Sequence, residues 1–172
     1  MVFCLLAGLW AAALPGCGYR AVYGQPGSER LSVQVGQVLI PEPMAVQAAA
    51  SGARSELASA GLLASGAQFP RLVVDVLRVD ELSRGIHVQD GQPRAGGMSI
   101  ALTVRGRIFA GENQEARLDS GDLRRSVQVS GDSDPRADSA AYDAALRTAA
   151  EHAGRAVARI ALGIPEPNDD PP

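Results

Sequence analysis

One twelve-residue segment, Met98–Phe109, constrains the fold more than any other part of this sequence. Its letters, MSIALTVRGRIF, alternate between apolar and polar residues. Such a period of two is typical of a strand with one buried and one solvated face. Arg105 and Arg107 fall on the polar side, so that face is predicted to be cationic. A sheet built around this strand needs covering on one side only.

Three further segments are predicted to be strands. Leu31–Ile40 alternates but changes phase near Gly36, which indicates a β-bulge. Leu118–Ser130 forms the last strand. Arg71–Leu82 is rich in Val and Leu on both faces, with Leu72, Val74 and Val76 on one side and Val73, Leu77 and Val79 on the other. Residues 83–97 are expected to form a long Gly-rich loop between two strands.

Two segments have the apolar spacing of amphipathic helices. Met44–Leu63 is rich in Ala, and Gly52 is expected to weaken it. The second helix begins at Asp134-Pro135, with Asp as the N-cap and Pro at the first helical position, and continues to about Leu162. Gly163 follows as a suitable C-cap.

The predicted order of elements is therefore β-α-β-β-β-α. It favours an α+β two-layer sandwich, in which a four-stranded, mostly antiparallel sheet carries two helices on one face. Because the first helix makes a crossover connection, the first two strands are expected to be parallel to each other.

The N-terminal residues predict a lipoprotein signal peptide. Met1–Leu14 is almost wholly apolar and is too short to span a bilayer as a mature helix. The sequence Leu14-Pro15-Gly16-Cys17 resembles the lipobox of bacterial lipoproteins, in which the cysteine thiol accepts diacylglycerol. Cys17 is thus the predicted lipidation site, and several acyl chains would anchor the protein stably. No basic residue precedes the apolar run, so either the true start lies upstream or the Met1 amino group supplies the only charge.

These features divide the chain into four predicted parts. Residues 1–16 are the signal peptide, 17–30 are the lipidated cysteine with its Gly- and Pro-rich tether, 31–164 are the α+β domain, and 165–172 are a disordered tail. Gly18 follows the cysteine. Proteobacterial lipoproteins that stay in the inner membrane commonly have Asp there, so the comparison implies the outer membrane.

Composition excludes several functional classes. The net charge of −3 and the aromatic content of 4% argue against a nucleic-acid binder. All 16 basic residues are Arg, so no lysine-dependent chemistry is available. Two His and two Cys are too few for a zinc site, and no other metal or cofactor site is expected. Asp75 and Asp80 are five residues apart on one strand and are predicted to lie on opposite faces, which argues against a carboxylate pair.

Together these features resemble the family of LPS-assembly lipoproteins called LptE. The resemblance rests on Cys17-Gly18-Tyr19, the order of elements, the Gly-rich residues 84–97 before Met98–Phe109, and the closing helix. It implies a lipoprotein on the periplasmic side of the outer membrane, where it plugs the LptD β-barrel and assists its assembly. It also implies contact with lipopolysaccharide during insertion into the outer leaflet, and no enzymatic activity.

Arginine side chains are the predicted lipopolysaccharide contacts, because a guanidinium matches a phosphate group with two hydrogen bonds. The candidates are Arg94 in the Gly-rich loop and Arg105, Arg107 and Arg124 on the strands. The alternative is that these arginines form an ordinary solvated strand face. A second candidate function is that of an auxiliary lipoprotein in an ABC-type lipid transport system. A lipid-anchored hydrolase is disfavoured, since the sequence offers no evident pairing of a nucleophile with a base.

Overall fold

The computed structural model describes residues 29–83, 86–89, 92–95, 97–129 and 135–164. The elements along the chain are β1 (Ser32–Val38), α1 (Pro43–Ser59), β2 (Arg71–Ser83), β3 (Ile86–Gln89), β4 (Gln92–Ala95), β5 (Met98–Phe109), β6 (Leu118–Val129) and α2 (Pro135–Ala161). The predicted signal peptide, Cys17, most of the tether, the N-cap Asp134 and the C-terminal tail lie outside the described residues.

Four strands form a mixed sheet in the order β1-β2-β5-β6. β1 is parallel to β2, as expected for strands joined through α1, and the other two pairs are antiparallel. The register of β1 against β2 shifts between Val35 and Val38, which confirms the bulge predicted near Gly36. The α+β prediction of a four-stranded sheet with two helices is confirmed.

The two helices pack against each other and against the same side of the sheet. The largest fully buried side chains between them include Leu57 of α1, Leu146 of α2, and Leu72, Ile100 and Leu102 of the sheet. Gly52 and Gly154 lie where the helices cross. A Cβ atom added at Gly52 would overlap the carbonyl oxygen of Glu151, and one added at Gly154 would overlap that of Ala49. Gly52 therefore permits close helix packing, a role that helix propensity alone did not predict.

The expected loop at residues 83–97 is wrong in part, because β3 and β4 pair there as a two-stranded antiparallel sheet. The pairing of Ser83 with Met98 in the main sheet is followed by that of Ile86 with Ala95 in the small one. The two ladders share one register, so the β3–β4 hairpin extends the β2–β5 hairpin. The order of elements consequently contains two more strands than predicted.

A second bulge, in β2, corrects the predicted faces of that strand. Val76 pairs with Val104 whereas Arg78 pairs with Thr103, so Leu77 is an extra residue in β2. The extra residue reverses the alternation beyond it. Val79 consequently packs against the helix-covered core, and Asp80 lies on the same face as Asp75 instead of the opposite one.

The helix ends are fixed by local backbone geometry. α1 ends at Ser59, four residues before the predicted Leu63, because Gly61 adopts a φ of 71° that stops the helix. α2 begins at Pro135 and ends before Gly163, which has the same φ of 71° and serves as the predicted terminator.

Candidate functional site: the open face of the sheet

The face of the sheet that points away from α1 and α2 is called here the open face. Gly106 of β5 lies directly beneath Val157 of α2, so its neighbours Arg105 and Arg107 project from the opposite side. No helix of the described residues packs on that side. Its central charged and polar side chains come from β2, β5 and β6 and include Asp75, Arg78, Asp80, Thr103, Arg105, Arg107, Asp119, Asp122 and Arg124.

The most buried ion pair of this face joins Arg107 to Asp75. The Asp75 side chain is only 3% exposed, and its Oδ2 accepts hydrogen bonds from Arg107 Nε at 3.0 Å and Nη2 at 2.7 Å. Its Oδ1 accepts the backbone N–H of Gln37 at 2.7 Å, where the bulge of β1 passes. Both oxygens of this buried carboxylate are satisfied, so Arg107 is held in place as part of the fold.

Arg105 and Asp119 form a second pair nearer to solvent. Arg105 donates from Nε to Oδ1 at 2.8 Å and from Nη2 to Oδ2 at 2.6 Å. These hydrogen bonds, aided by the backbone N–H of Gly121, lower the pKa of Asp119 to about 2, and the same contact raises the pKa of Arg105. Asp122 lies 3.9 Å from Arg105. Because these groups are half-exposed, solvent screens the pair and its contribution to stability is small.

Gly121 positions Asp119 for this contact. β6 bulges between the pairs Arg105–Asp122 and Arg107–Asp119, and Gly121 takes a φ of 67° within that bulge. The neighbouring Ser120 hydroxyl accepts the Gly106 N–H at 2.8 Å, which replaces a missing ladder hydrogen bond. The bulge thus brings two carboxylates of β6 next to one arginine of β5.

A single carboxylate, Asp80, serves two arginines. Arg78 Nε lies 3.0 Å from Asp80 Oδ1 and 3.1 Å from Oδ2, and Arg124 Nε lies 3.6 Å from Oδ2. The Arg78 and Arg124 side chains are 66% and 48% exposed. This arrangement holds two guanidinium groups of different strands on either side of one acid.

The structure brings three of the four predicted contact residues together on the open face: Arg105, Arg107 and Arg124. The fourth, Arg94, belongs to β4, and its side chain lies outside the described residues. Each of the three has an aspartate within 4 Å, so this face, predicted as polar and cationic, is a lattice of ion pairs. Sequence reasoning did not select Arg78 or Thr103 as contact residues. The bulge at Leu77 turns Arg78 toward the open face, where it lies opposite Thr103.

The described residues contain neither a cluster of metal ligands nor a membrane-spanning helix. Within the described ranges, no three His, Cys, Asp or Glu side chains are grouped as metal ligands. Over the same ranges, no helix has both the length and the apolar character needed to cross a bilayer.

Comparison with known proteins identifies the architecture. No protein-family model matches this chain, and no curated protein has a significantly similar sequence. A structure named as a candidate lipoprotein of Caulobacter crescentus CB15 superposes with a TM-score of 0.52 at 16% identity, covering 75% of this chain and 88% of that one. A Xanthomonas campestris protein of the DUF330 family gives a TM-score of 0.50 at 15% identity, covering 82% and 91%. The likeness shows the fold.

Proposed function

We propose that this protein is an outer-membrane lipoprotein of the LptE type, anchored through lipid on Cys17. In this role it plugs an LptD-like β-barrel, assists assembly of that barrel, and helps to insert lipopolysaccharide into the outer leaflet. One observation carries the proposal. Cys17, in a lipobox-like sequence, precedes a domain whose fold is shared with a structure named as a candidate lipoprotein. The proposed role is binding and assembly, not catalysis.

The open face supports this role on physical grounds. The interior of a large outer-membrane barrel is polar and hydrated. A charged surface suits such an interior, and pairing the charges within the plug limits the cost of desolvation wherever the plug contacts the barrel wall directly. The pairs Arg107–Asp75 and Arg105–Asp119 give the sheet such a surface. The outward sides of the helices are also polar, with exposed Arg54 on α1 and exposed Arg147 and Arg155 on α2.

Affinity purification tests the proposal directly. The full-length, lipidated protein would be purified from detergent-solubilised outer membranes, and its partners identified by mass spectrometry. We expect a stoichiometric, heat-modifiable β-barrel of the LptD type. The Cys17→Ser variant, which cannot accept the lipid, is the matched control and should be lost from the membrane fraction.

The same experiment separates the second candidate function. Recovery of inner-membrane transporter subunits in place of a barrel would favour an auxiliary lipoprotein of an ABC-type lipid transport system. In that case the LptE-type role would be abandoned.

A further inference from the structure

Thr103 has the most unusual environment on the open face. The residue is only 7% exposed, although it projects from the side of the sheet that carries no helix among the described residues. Its Oγ1 is buried and has no hydrogen-bond partner. A buried hydroxyl left unsatisfied costs about 1–3 kcal/mol, so such groups are uncommon in folded proteins.

Two arginines flank this hydroxyl. Thr103 pairs directly with Arg78 of β2 and with Arg124 of β6. Side chains that face each other across neighbouring strands have Cβ atoms about 4.5–5.5 Å apart, so the stems of both arginines lie beside Thr103. These stems account for the burial of a residue in the middle of an otherwise solvated face.

The hydrogen-bonding capacity of the two arginines is only partly used. Both approach Asp80 through Nε, and their terminal nitrogens make no closer contact with any described residue. These two guanidinium groups share a single carboxylate, that of Asp80. Arg105, in contrast, is neutralised by Asp119 at 2.6 Å and lies within 3.9 Å of Asp122. The excess of N–H donors is therefore concentrated at Arg78 and Arg124, around the hydroxyl of Thr103.

We propose that Arg78, Thr103 and Arg124 form a binding site for a phosphate group. The terminal N–H groups of the arginines and the Thr103 hydroxyl donate to the phosphate oxygens, and Asp80 is a positioning residue that fixes both guanidinium groups through Nε. The inference deepens the proposed function and rests on it for the source of the phosphate, which is the phosphorylated headgroup of lipopolysaccharide. Free inorganic phosphate would present the same oxygens and is tested separately.

The test is calorimetric titration of the full-length protein in dodecyl maltoside. The probes are inorganic phosphate and lipid A presented in mixed micelles of phosphatidylcholine and the same detergent. We expect the double variant Arg78→Gln/Arg124→Gln to weaken binding by about tenfold or more, and Thr103→Val by about fivefold. Thr103→Ser keeps the hydroxyl and should bind within about twofold of the unmodified protein.

Matched controls come from the outer side of α2. Arg155→Gln removes one exposed guanidinium, and Thr148→Val removes a hydroxyl that donates to the Ala144 carbonyl. Both controls should leave binding unchanged. If the double variant does not fold by circular dichroism, Arg78→Lys and Arg124→Lys replace it, since they keep the charge but lose the fork of donors.

The outcomes separate the site from the proposed function. If the site variants lose lipid A binding and the unmodified protein does not bind inorganic phosphate, the site is specific for a lipid headgroup. If the variants lose binding of both probes, the site accepts phosphate from either source. The site is overturned if neither probe binds or if the site variants bind like Arg155→Gln. Each variant is also tested for co-purification of the barrel, because absence of the barrel from the unmodified protein overturns the proposed function alone.

Discussion

Arg107 reaches diagonally across β5 and β2 to place two guanidinium nitrogens, at 3.0 and 2.7 Å, on the Oδ2 atom of Asp75. The contact compensates the most buried charge on the open face, since the Asp75 side chain is 3% exposed. The same carboxylate ties down the bulge of β1 through the Gln37 N–H. One ion pair therefore links three adjacent strands.

Removing this arginine should destabilise the protein strongly. Arg107→Ala leaves the Asp75 carboxylate buried without its counter-charge, and we expect the free energy of unfolding to fall by about 3 kcal/mol. That figure is at the low end for buried pairs, because Arg107 is one-third exposed. Urea unfolding followed by circular dichroism measures the change. Arg105→Ala, which breaks a more exposed pair, should lower the free energy of unfolding far less; equal losses would contradict the distinction.

Asp119 should titrate at an unusually low pH. Its pKa of about 2 lies below the ordinary 3.8, chiefly because Arg105 donates hydrogen bonds to the ionised form. NMR titration of the side-chain carboxyl measures the value, and Arg105→Gln should return it toward 3.8. Since the folded pKa is the lower one, the associated stability is present above pH 3.8 and is lost as the pH falls from there through about 2. A carboxyl that titrates normally in the unmodified protein would show that the pair does not form in solution.

Alanine at the helix crossing should be harmful in spite of its helix propensity. Gly154→Ala adds a methyl group that overlaps the Ala49 carbonyl of α1, so the helices must separate. We expect a net loss of about 1–3 kcal/mol in urea unfolding, although alanine by itself favours a helix. Gly111→Ala is the control, because its new Cβ would meet only the flexible side chain of Gln114. A stabilised Gly154→Ala protein would rule out close packing at this crossing.

Tyr142 should ionise late in an alkaline titration. Burial, together with a hydrogen bond to Glu81, raises the pKa of its phenol from 10.0 to about 12. Ultraviolet absorbance of tyrosinate follows the titration, and Tyr142→Phe should remove the component near pH 12. Because the folded pKa is the higher one, the stability linked to this group is present below pH 10 and is lost as the pH rises toward 12. An unchanged alkaline limb in Tyr142→Phe would contradict the assignment.

The sequence predicts elements best where apolar and polar residues alternate without interruption. β5 matches its predicted range of Met98–Phe109, because strict alternation leaves a single phase. β2 is predicted as a strand, but apolar residues occupy both of its faces, so the pattern contains no sign of the extra Leu77. The hairpin of β3 and β4 was missed although Asp90-Gly91 is a strong turn sequence, since the flanking strands have four residues each.

The candidate site was predictable only within single strands. Alternation places Arg105 and Arg107 on one face of β5 without any knowledge of the neighbouring strands. Their pairing with Asp75 and Asp119 depends on register and on two bulges, which involve residues from distant parts of the chain. The unsatisfied hydroxyl of Thr103 is still less accessible to sequence reasoning, because its burial results from the stems of two arginines on other strands.

Leu77 contributes to the charge distribution of this protein without bearing a charge. It is the one unpaired residue in the middle of β2. Because it stands outside the ladder, every β2 side chain after it lies on the opposite face from the one that regular alternation would give. A β2 strand that paired with β5 through Leu77 in regular alternation would turn Arg78 and Asp80 toward the helices and Val79 and Glu81 outward. One uncharged residue, by standing outside the ladder, therefore keeps these two members of the arginine–aspartate lattice on the open face.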